Sequence, residues 1–297
     1  MATSVRVFQV DAFTSQRFCG NPAGVVLDAD GLSDQQMRSL ARELNNGDTA
    51  FLLRPDAPDH DLRVRFFSPR SEAAFVGHAT LAAHAVLASL QLAPRRRQKQ
   101  KSGLVEVQTL ASVPPRIAIR QPPPSLGRVL ERPELDAVLA ALALNRADLD
   151  PRCPPTIAGL ASPRLLLGVL DAATLARVAA NLARLSELSA QLAAPGYFLF
   201  TLQPPQAGVF SEARMFCPAL GIDEDPVSGN AHALLGAYLL HHELISGSGV
   251  IEFTGAQGQH VGRPGRVTVV LELDQRMLRR VSIVGEAVIV FATTLVF

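Results

Sequence analysis

Phe75-Val76-Gly77-His78-Ala79-Thr80-Leu81-Ala82-Ala83-His84-Ala85-Val86-Leu87 opens on a Gly-His pair and then stays apolar for more than two helical turns with almost no polar face. A helix lying on a protein surface carries a polar stripe; a run without one predicts a helix buried on all sides. Such a helix needs a fold wrapped around it. A second stretch of the same design follows in the later part of the chain, Asp225-Pro226-Val227-Ser228-Gly229-Asn230-Ala231-His232-Ala233-Leu234-Leu235-Gly236-Ala237-Tyr238-Leu239-Leu240. The chain reads as doubled.

The repeat extends upstream of both helices. Phe67-Ser68-Pro69 precedes Gly77-His78-Ala79, and Phe216-Cys217-Pro218 precedes Gly229-Asn230-Ala231. Each copy runs strand, proline-containing turn, loop, small-residue helix start, apolar helix. Two such units facing each other form a cleft of approximate two-fold symmetry, the kind of place ligand sites favour.

Around these anchors the pattern predicts many short strands and few helices. Leu32-Ser33-Asp34-Gln35-Gln36-Met37 starts a helix, with Ser33 as N-cap, Gln36 at the capping-box position and Leu32 against Met37. Asn45-Asn46-Gly47 stops it, since these residues tolerate the left-handed conformation. Asp48 then stands where the helix hands over to the strand Thr49-Ala50-Phe51-Leu52-Leu53. Val5–Val10, Gly24–Leu27, Leu62–Phe67, Val105–Thr109, Arg116–Arg120, Leu165–Leu170, Tyr197–Phe200, Ala213–Phe216, Val250–Phe253, Arg266–Leu273 and Ala287–Ala292 also read as strands. Further helices are predicted over Glu134–Leu144 and Ala172–Leu185, and Pro122-Pro123-Pro124 marks an extended crossover. The sum is an α+β protein. Its expected division is residues 1–122, residues 123–280, and a terminal strand in 281–297 completing the N-terminal half.

Composition excludes several classes of function. Lys plus Arg number 28 against 27 Asp plus Glu, so no overall field attracts nucleic acid or an anionic membrane. The most basic run, Arg95-Arg96-Arg97-Gln98-Lys99-Gln100-Lys101, has no aromatic or glycine pattern beside it and reads as a solvated turn. Three cysteines, Cys19, Cys153 and Cys217, give neither a disulfide framework nor paired metal-ligand spacing. Met1 to Asp11 lacks a signal peptide, and no run approaches the ~18 unbroken apolar residues of a membrane span. A soluble, cytoplasmic protein is expected, with no metal.

The first turn of a helix offers free N–H groups at the positive end of its dipole. Gly77-His78-Ala79 and Ser228-Gly229-Asn230 can therefore hold a small carboxylate, or can simply cap their helices. Asp48, His78 and Asp225 are the ionisable groups at these seams. Moving a proton between carbons needs a base whose conjugate acid returns it, and a carboxyl or imidazole set by burial does both. Each also fits a structural role: Asp225-Pro226 as a helix start, His78 as a satisfied buried histidine. His84 and His232, inside the apolar runs, read as core or supporting groups. Cys19 and Cys217 come from different halves, but neither opens an apolar helix, where a thiol would be acidified.

Val7-Phe8-Gln9-Val10-Asp11-Ala12-Phe13-Thr14, Phe18-Cys19-Gly20-Asn21-Pro22-Ala23-Gly24-Val25, Ala41-Arg42-Glu43-Leu44, Gly77 to His84 and Arg214 to Ala231 together resemble the phenazine-biosynthesis isomerase family, of the diaminopimelate epimerase fold. The resemblance implies two similar halves, each a mostly antiparallel sheet curled around a central helix, an active site between them, often a homodimer, and no cofactor. It implies an isomerase acting on a small carboxylated substrate. The best-understood member moves a proton between ring carbons of trans-2,3-dihydro-3-hydroxyanthranilate, and other members resemble epimerases or dehydratases of amino-acid derivatives such as hydroxyproline. The family's catalytic glutamate lies in a Ser-Glu-Thr motif, matched here by Gly47-Asp48-Thr49. Its Gly-His-Ala histidine matches His78, its second aspartate matches Asp225, and its Thr-Gly-Ser helix start matches Ser228-Gly229-Asn230. Asn21, Gly77 and Ala79 are assigned to substrate binding on the same basis. Asp48 is one methylene shorter than glutamate, so its oxygens retreat by roughly 1–1.5 Å, a displacement that can cost about a hundredfold in rate. A different substrate, weak activity, or a small-acid binding protein without turnover all follow from that departure.

Overall fold

The computed structural model describes residues 4–92, 95–159 and 162–297, so the first three residues of the N-terminal stretch lie outside it. In chain order the elements are β1 (Ser4–Ala12), β2 (Asn21–Leu27), α1 (Asp34–Leu44), β3 (Asp48–Leu53), β4 (Leu62–Phe67), β5 (Glu72–Ala73) and α2 (Gly77–Ser89). They continue with β6 (Arg95–Gln100), β7 (Gly103–Leu110), β8 (Arg116–Gln121), β9 (Leu126–Val129), α3 (Arg132–Ala141), β10 (Thr156–Ala158) and β11 (Arg164–Gly168). The last are α4 (Ala172–Ala176), α5 (Leu182–Leu192), β12 (Gly196–Thr201), β13 (Ser211–Phe216), α6 (Gly229–His241), β14 (Val250–Gln257), β15 (Gly265–Asp274), β16 (Met277–Gly285) and β17 (Ala287–Val296). Two compact units result, Met1–Gln121 with Val284–Phe297, and Pro122–Ile283.

The duplication shows in strand order. In the first unit β2 runs parallel to β3 and β3 antiparallel to β4; β4 then runs parallel to β6, and β6 antiparallel to β7. In the second unit β11, β12, β13, β14 and β15 repeat the sequence parallel, antiparallel, parallel, antiparallel. Each parallel pair requires a crossover. The crossovers from β4 to β6 and from β13 to β14 contain the two apolar helices.

Both helices are buried nearly all round. In α2 this covers Ala79 through His84 together with Val86 and Leu87; in α6, Gly229 and Ala231 through Leu239. Each fully buried leucine contributes about 1.5–3 kcal/mol, so each helix adds several kcal/mol of apolar burial to its unit. In the first unit, strands β1 to β4 pack on α2 through Val10, Val25, Ala50 and Phe66. On the other face Val7, Val26, Phe51 and Phe67 meet Met37, Leu40 and Ala41 of α1. That helix has the expected reciprocal capping box between Ser33 and Gln36, and it closes at Asn45 with φ 53°. The C-terminal strand β17 pairs antiparallel with β1, from Ser4↔Val296 to Ala12↔Ala287.

Two expectations fail for physical reasons. The basic run predicted as a solvated turn is strand β6 over Arg95–Gln100. Arg97 and Lys99 face outward, where the Arg97 N–H donates to Asp61 Oδ2 (2.6 Å) and Lys99 Nζ to Asp56 Oδ1 (3.0 Å). Gln98 faces inward, fully buried, with its Oε1 3.0 Å from His84 Nε2. The period of two is present, but its inward member is polar because it answers a buried histidine. The single helix expected over Ala172–Leu185 is two, α4 and α5. Between them the Ala179 and Asn181 N–H groups leave the helix and donate to Leu142 and Ala141 carbonyls at the end of α3 (3.3 and 2.7 Å). Asn181 then caps α5 through the Arg184 N–H. The short strands β5, β9 and β10 and the arginine-interrupted β16 carry too little apolar alternation to stand out in the sequence.

Replacing Gln98 by Leu removes the partner of a buried imidazole, and Gln98→Leu is expected to destabilise the protein by about 1–3 kcal/mol in urea denaturation. In the double variant His84→Leu/Gln98→Leu the loss should be smaller than the sum of the two single losses, because no buried polar group is then left unmatched.

Candidate active site

Asp48 is fixed from three directions. The preceding helix ends in the left-handed Asn45, whose N–H returns to the Ala41 carbonyl. Asn46 exchanges two side-chain hydrogen bonds with Gln9 of β1, at 2.9 and 2.8 Å, so the handover from α1 to β3 is pinned to the sheet. Asp48 opens β3 in parallel register with Ala23 of β2. The next residue, Thr49, is buried against Gly24, where a Cβ would stand 2.7 Å from its Oγ1; only glycine admits that approach. Asn21, buried, begins β2 opposite Ala12. The loop leading to it turns at Gly20 (φ +63°), whose Cβ would meet the Ala12 carbonyl at 2.1 Å, and Asp11 Oδ2 accepts the Phe18 N–H at 2.6 Å.

His78 lies in the first turn of α2. The N-cap is Val76, whose side chain has nothing to offer the helix, and no side chain caps this turn. Space opens at the same point, since a Cβ on Gly77 would have nothing within 4 Å. Ala79 beside it is buried. His78 Nε2 lies 3.9 Å from Asp48 Oδ2, with the side chains 13% and 16% exposed: sheltered, but reachable. Nε2 makes no hydrogen bond among the described residues. Burial pushes the imidazole down to about 4, so at neutral pH it is uncharged, one nitrogen a donor and the other an acceptor. The separation exceeds a hydrogen bond, as is common before a substrate draws catalytic groups together.

The second unit builds its helix start differently. Ser228 caps α6 by accepting the Ala231 N–H at 3.3 Å. Its own N–H donates to Gln257 Oε1 (3.0 Å), and its carbonyl lies 2.8 Å from His232 Nδ1. Asp225 donates its N–H to the Met215 carbonyl (2.8 Å) and accepts from Gln257 Nε2 at its own carbonyl (2.6 Å). Arg214 grips Glu224 with two bonds of 2.9 and 2.8 Å, holding the loop just before Asp225. Gly229 is buried behind the cap and Asn230 half-buried after it. The structure thus pairs Asp48 with His78 in one unit and groups Asp225, Ser228 and Gly229 in the other.

Thiol chemistry has no support here. Cys217 is buried, and burial pushes its thiol up to about 12, so it stays protonated. Among the described residues no three His, Cys, Asp or Glu side chains gather as a metal would require, and no helix is long and apolar enough to cross a membrane.

The sequence pattern gave no notice of Gln257 or Arg164. Gln257 is the last residue of β14, and its local signal is the pair of glycines, Gly255 and Gly258, that mark close backbone approach. Arg164 is 8% exposed and lies across Gly196, whose Cβ would stand 2.7 Å from Arg164 Nε and 3.0 Å from Cys217 Sγ.

Residues 10–293 match the family of phenazine biosynthesis-like proteins, nearly the whole chain. The chain belongs to that family. An uncharacterized isomerase of Clostridium acetobutylicum is 36% identical over 301 residues, covering 100% of this chain and 99% of the relative. The trans-2,3-dihydro-3-hydroxyanthranilate isomerase of Pseudomonas aeruginosa is 30% identical over 264 residues, 88% of each. The Bacillus anthracis phenazine biosynthesis protein of the PhzF family superposes with a TM-score of 0.89 at 27% identity, over 99% of this chain and 100% of its own. The fold is therefore the α+β, epimerase-like fold that the motifs imply.

Buried His84 and His232 and the sheltered His78 are each pushed down to about 4, in every case chiefly by loss of contact with water. The unfolded chain takes up these protons near pH 6.5 and the native protein only near 4. Stability is thus fully present above about pH 6.5 and is lost as pH falls toward 4, by up to about 3 kcal/mol per histidine. Urea midpoints followed between about pH 7 and pH 5 should fall with acidity, and His84→Gln should flatten that slope by the uptake of about one proton.

Proposed function

We propose that this family member is an isomerase that moves a proton between carbons of a small carboxylate-bearing substrate, with Asp48 as the acid/base group. The observation that carries this is the sheltered Asp48–His78 pair, 3.9 Å apart, beside an uncapped helix start. Asp48 as carboxylate takes a proton from one carbon while the electron pair of that C–H bond shifts into the adjoining double-bond system. Asp48 as carboxylic acid then returns the proton at another carbon. Atoms and electrons balance within the substrate, so the scheme calls for no cofactor.

His78, held neutral by burial, presents a hydrogen-bonding nitrogen at the edge of Asp48 without adding a charge that would hold the carboxylate ionised. The N–H groups of Gly77 and Ala79, with Asn21 nearby in the same unit, serve the polar groups of the substrate. In the second unit, taken by itself, Asp225, Ser228, Gly229 and Asn230 are suited to a carboxylate and an amino-type group. The 30% identity to trans-2,3-dihydro-3-hydroxyanthranilate isomerase supports cyclic, carboxylated carbon acids as the class to try first. Asp48 reaches less far than glutamate. A substrate must therefore come closer to Asp48 than it would to a glutamate.

Incubation with such carboxylates in deuterated water, followed by NMR, should give carbon-bound deuterium with at least one of them. Asp48→Asn should reduce the exchange by about a thousandfold, within the range of acid/base contributions, and His78→Gln by less. Exchange that survives Asp48→Asn would refute the mechanism. Calorimetric binding without exchange for any compound would leave a small-acid binding protein instead.

A further inference from the structure

Gln257 ends β14, is 1% exposed, and bonds through its carboxamide to the backbone of the segment that opens α6. Its Oε1 accepts the Ser228 N–H at 3.0 Å and its Nε2 donates to the Asp225 carbonyl at 2.6 Å. One planar side chain therefore ties together both ends of Asp225-Pro226-Val227-Ser228. This segment belongs to no helix or strand, and Pro226 has no N–H with which to hold itself. Further restraints come from other elements: Met215 of β13 accepts the Asp225 N–H, and His232 of α6 meets the Ser228 carbonyl.

The end of β14 is shaped to bring the carboxamide there. A Cβ on Gly255 would stand 2.4 Å from His232 Cδ2, so this glycine admits the imidazole that holds Ser228. A Cβ on Gly258 (φ +95°) would stand 2.2 Å from the Arg263 carbonyl oxygen and 2.9 Å from that of Pro226, so the chain turns directly against the segment. Glutamine is specifically suited to the position between them. The site needs one donor and one acceptor in a single plane; glutamate at neutral pH offers two acceptors, and methionine, of similar length, offers neither.

We propose that Gln257 is a positioning residue for this site: it sets the direction of the first N–H groups of α6 toward the carboxylate of the substrate and of Asp225 toward its amino-type group. The proposal rests on the function proposed above and adds the residue that orients its carboxylate-holding side. Buried partners of this kind matter because an error of about 1 Å in a binding group can cost about a hundredfold.

The full chain, Gln257→Met and Gln257→Glu are compared, with circular dichroism and thermal melting to establish folding. Hydrogen exchange at the Ser228 amide is then measured, together with calorimetric affinity for anthranilate as a non-reacting carboxylate probe, and kcat and KM for the deuterium-exchange substrate. With the fold intact, both variants should raise KM and the anthranilate Kd by about tenfold or more, with kcat changed much less, and Gln257→Met, which removes the acceptor, should also speed Ser228 exchange. Folded variants whose Ser228 exchange, KM and anthranilate Kd stay within twofold of the parent would overturn the proposal. If Gln257→Met does not fold, Gln257→Glu, which keeps an acceptor for the Ser228 N–H but loses the donor to the Asp225 carbonyl, decides the matter by KM and the anthranilate Kd: values within twofold of the parent overturn the proposal. Should the parent protein catalyse no deuterium exchange, the isomerase reading fails. Ser228 exchange and anthranilate affinity still judge Gln257 separately.

Discussion

A helix that is apolar on every side has no face turned to water, so each polar group it carries must be answered by the strands around it. α2 and α6 are such helices, and several of their polar groups are answered in this way, though His232 Nε2 has no hydrogen-bond partner among the described residues. His84 is met by Gln98 of β6. His232 uses the Ser228 carbonyl one turn earlier in its own helix, and the cap that precedes it is met by Gln257 of β14. An unmatched buried polar group costs about 1–3 kcal/mol, so these few bonds weigh as much as a buried leucine each.

The same constraint explains why helix starts are the chemically interesting places. Along the length of α2 and α6 the backbone is fully paired and the side chains are enclosed. Only at the first turn do N–H groups lie without intrahelical acceptors. The two helices treat this turn differently. α6 is capped by Ser228, and the cap is itself anchored; α2 begins at Val76 with no capping side chain, beside the open space at Gly77. The uncapped start is the one that has Asp48 as a neighbour.

Much of this was legible from residues alone where the pattern was local. The apolar runs, the Ser33–Gln36 capping box and the Asn45 stop each depend on contacts within a few positions of the chain, and the family motifs bring Asp48 and His78 forward as candidates. What stayed hidden depends on partners far away in sequence. Gln98 looks like part of a charged surface run until His84 is seen opposite it, and Gln257 looks like a strand-end amide until Asp225 and Ser228 are. The break between α4 and α5 is set by the carbonyl ends of α3, which no periodicity in Ala172–Leu185 records. Polar residues were misread wherever their partner was itself a buried polar group.

The pairing of β17 with β1 orders events during synthesis. β1 has β2 on one edge, and its other edge pairs with Ala287–Val296. All of Pro122–Ile283 is translated before that covering strand, so the earlier-made unit keeps an unpaired strand edge until Ala287–Val296 is made, the kind of edge that invites association with other chains. The first unit to be translated is thus the last to be completed.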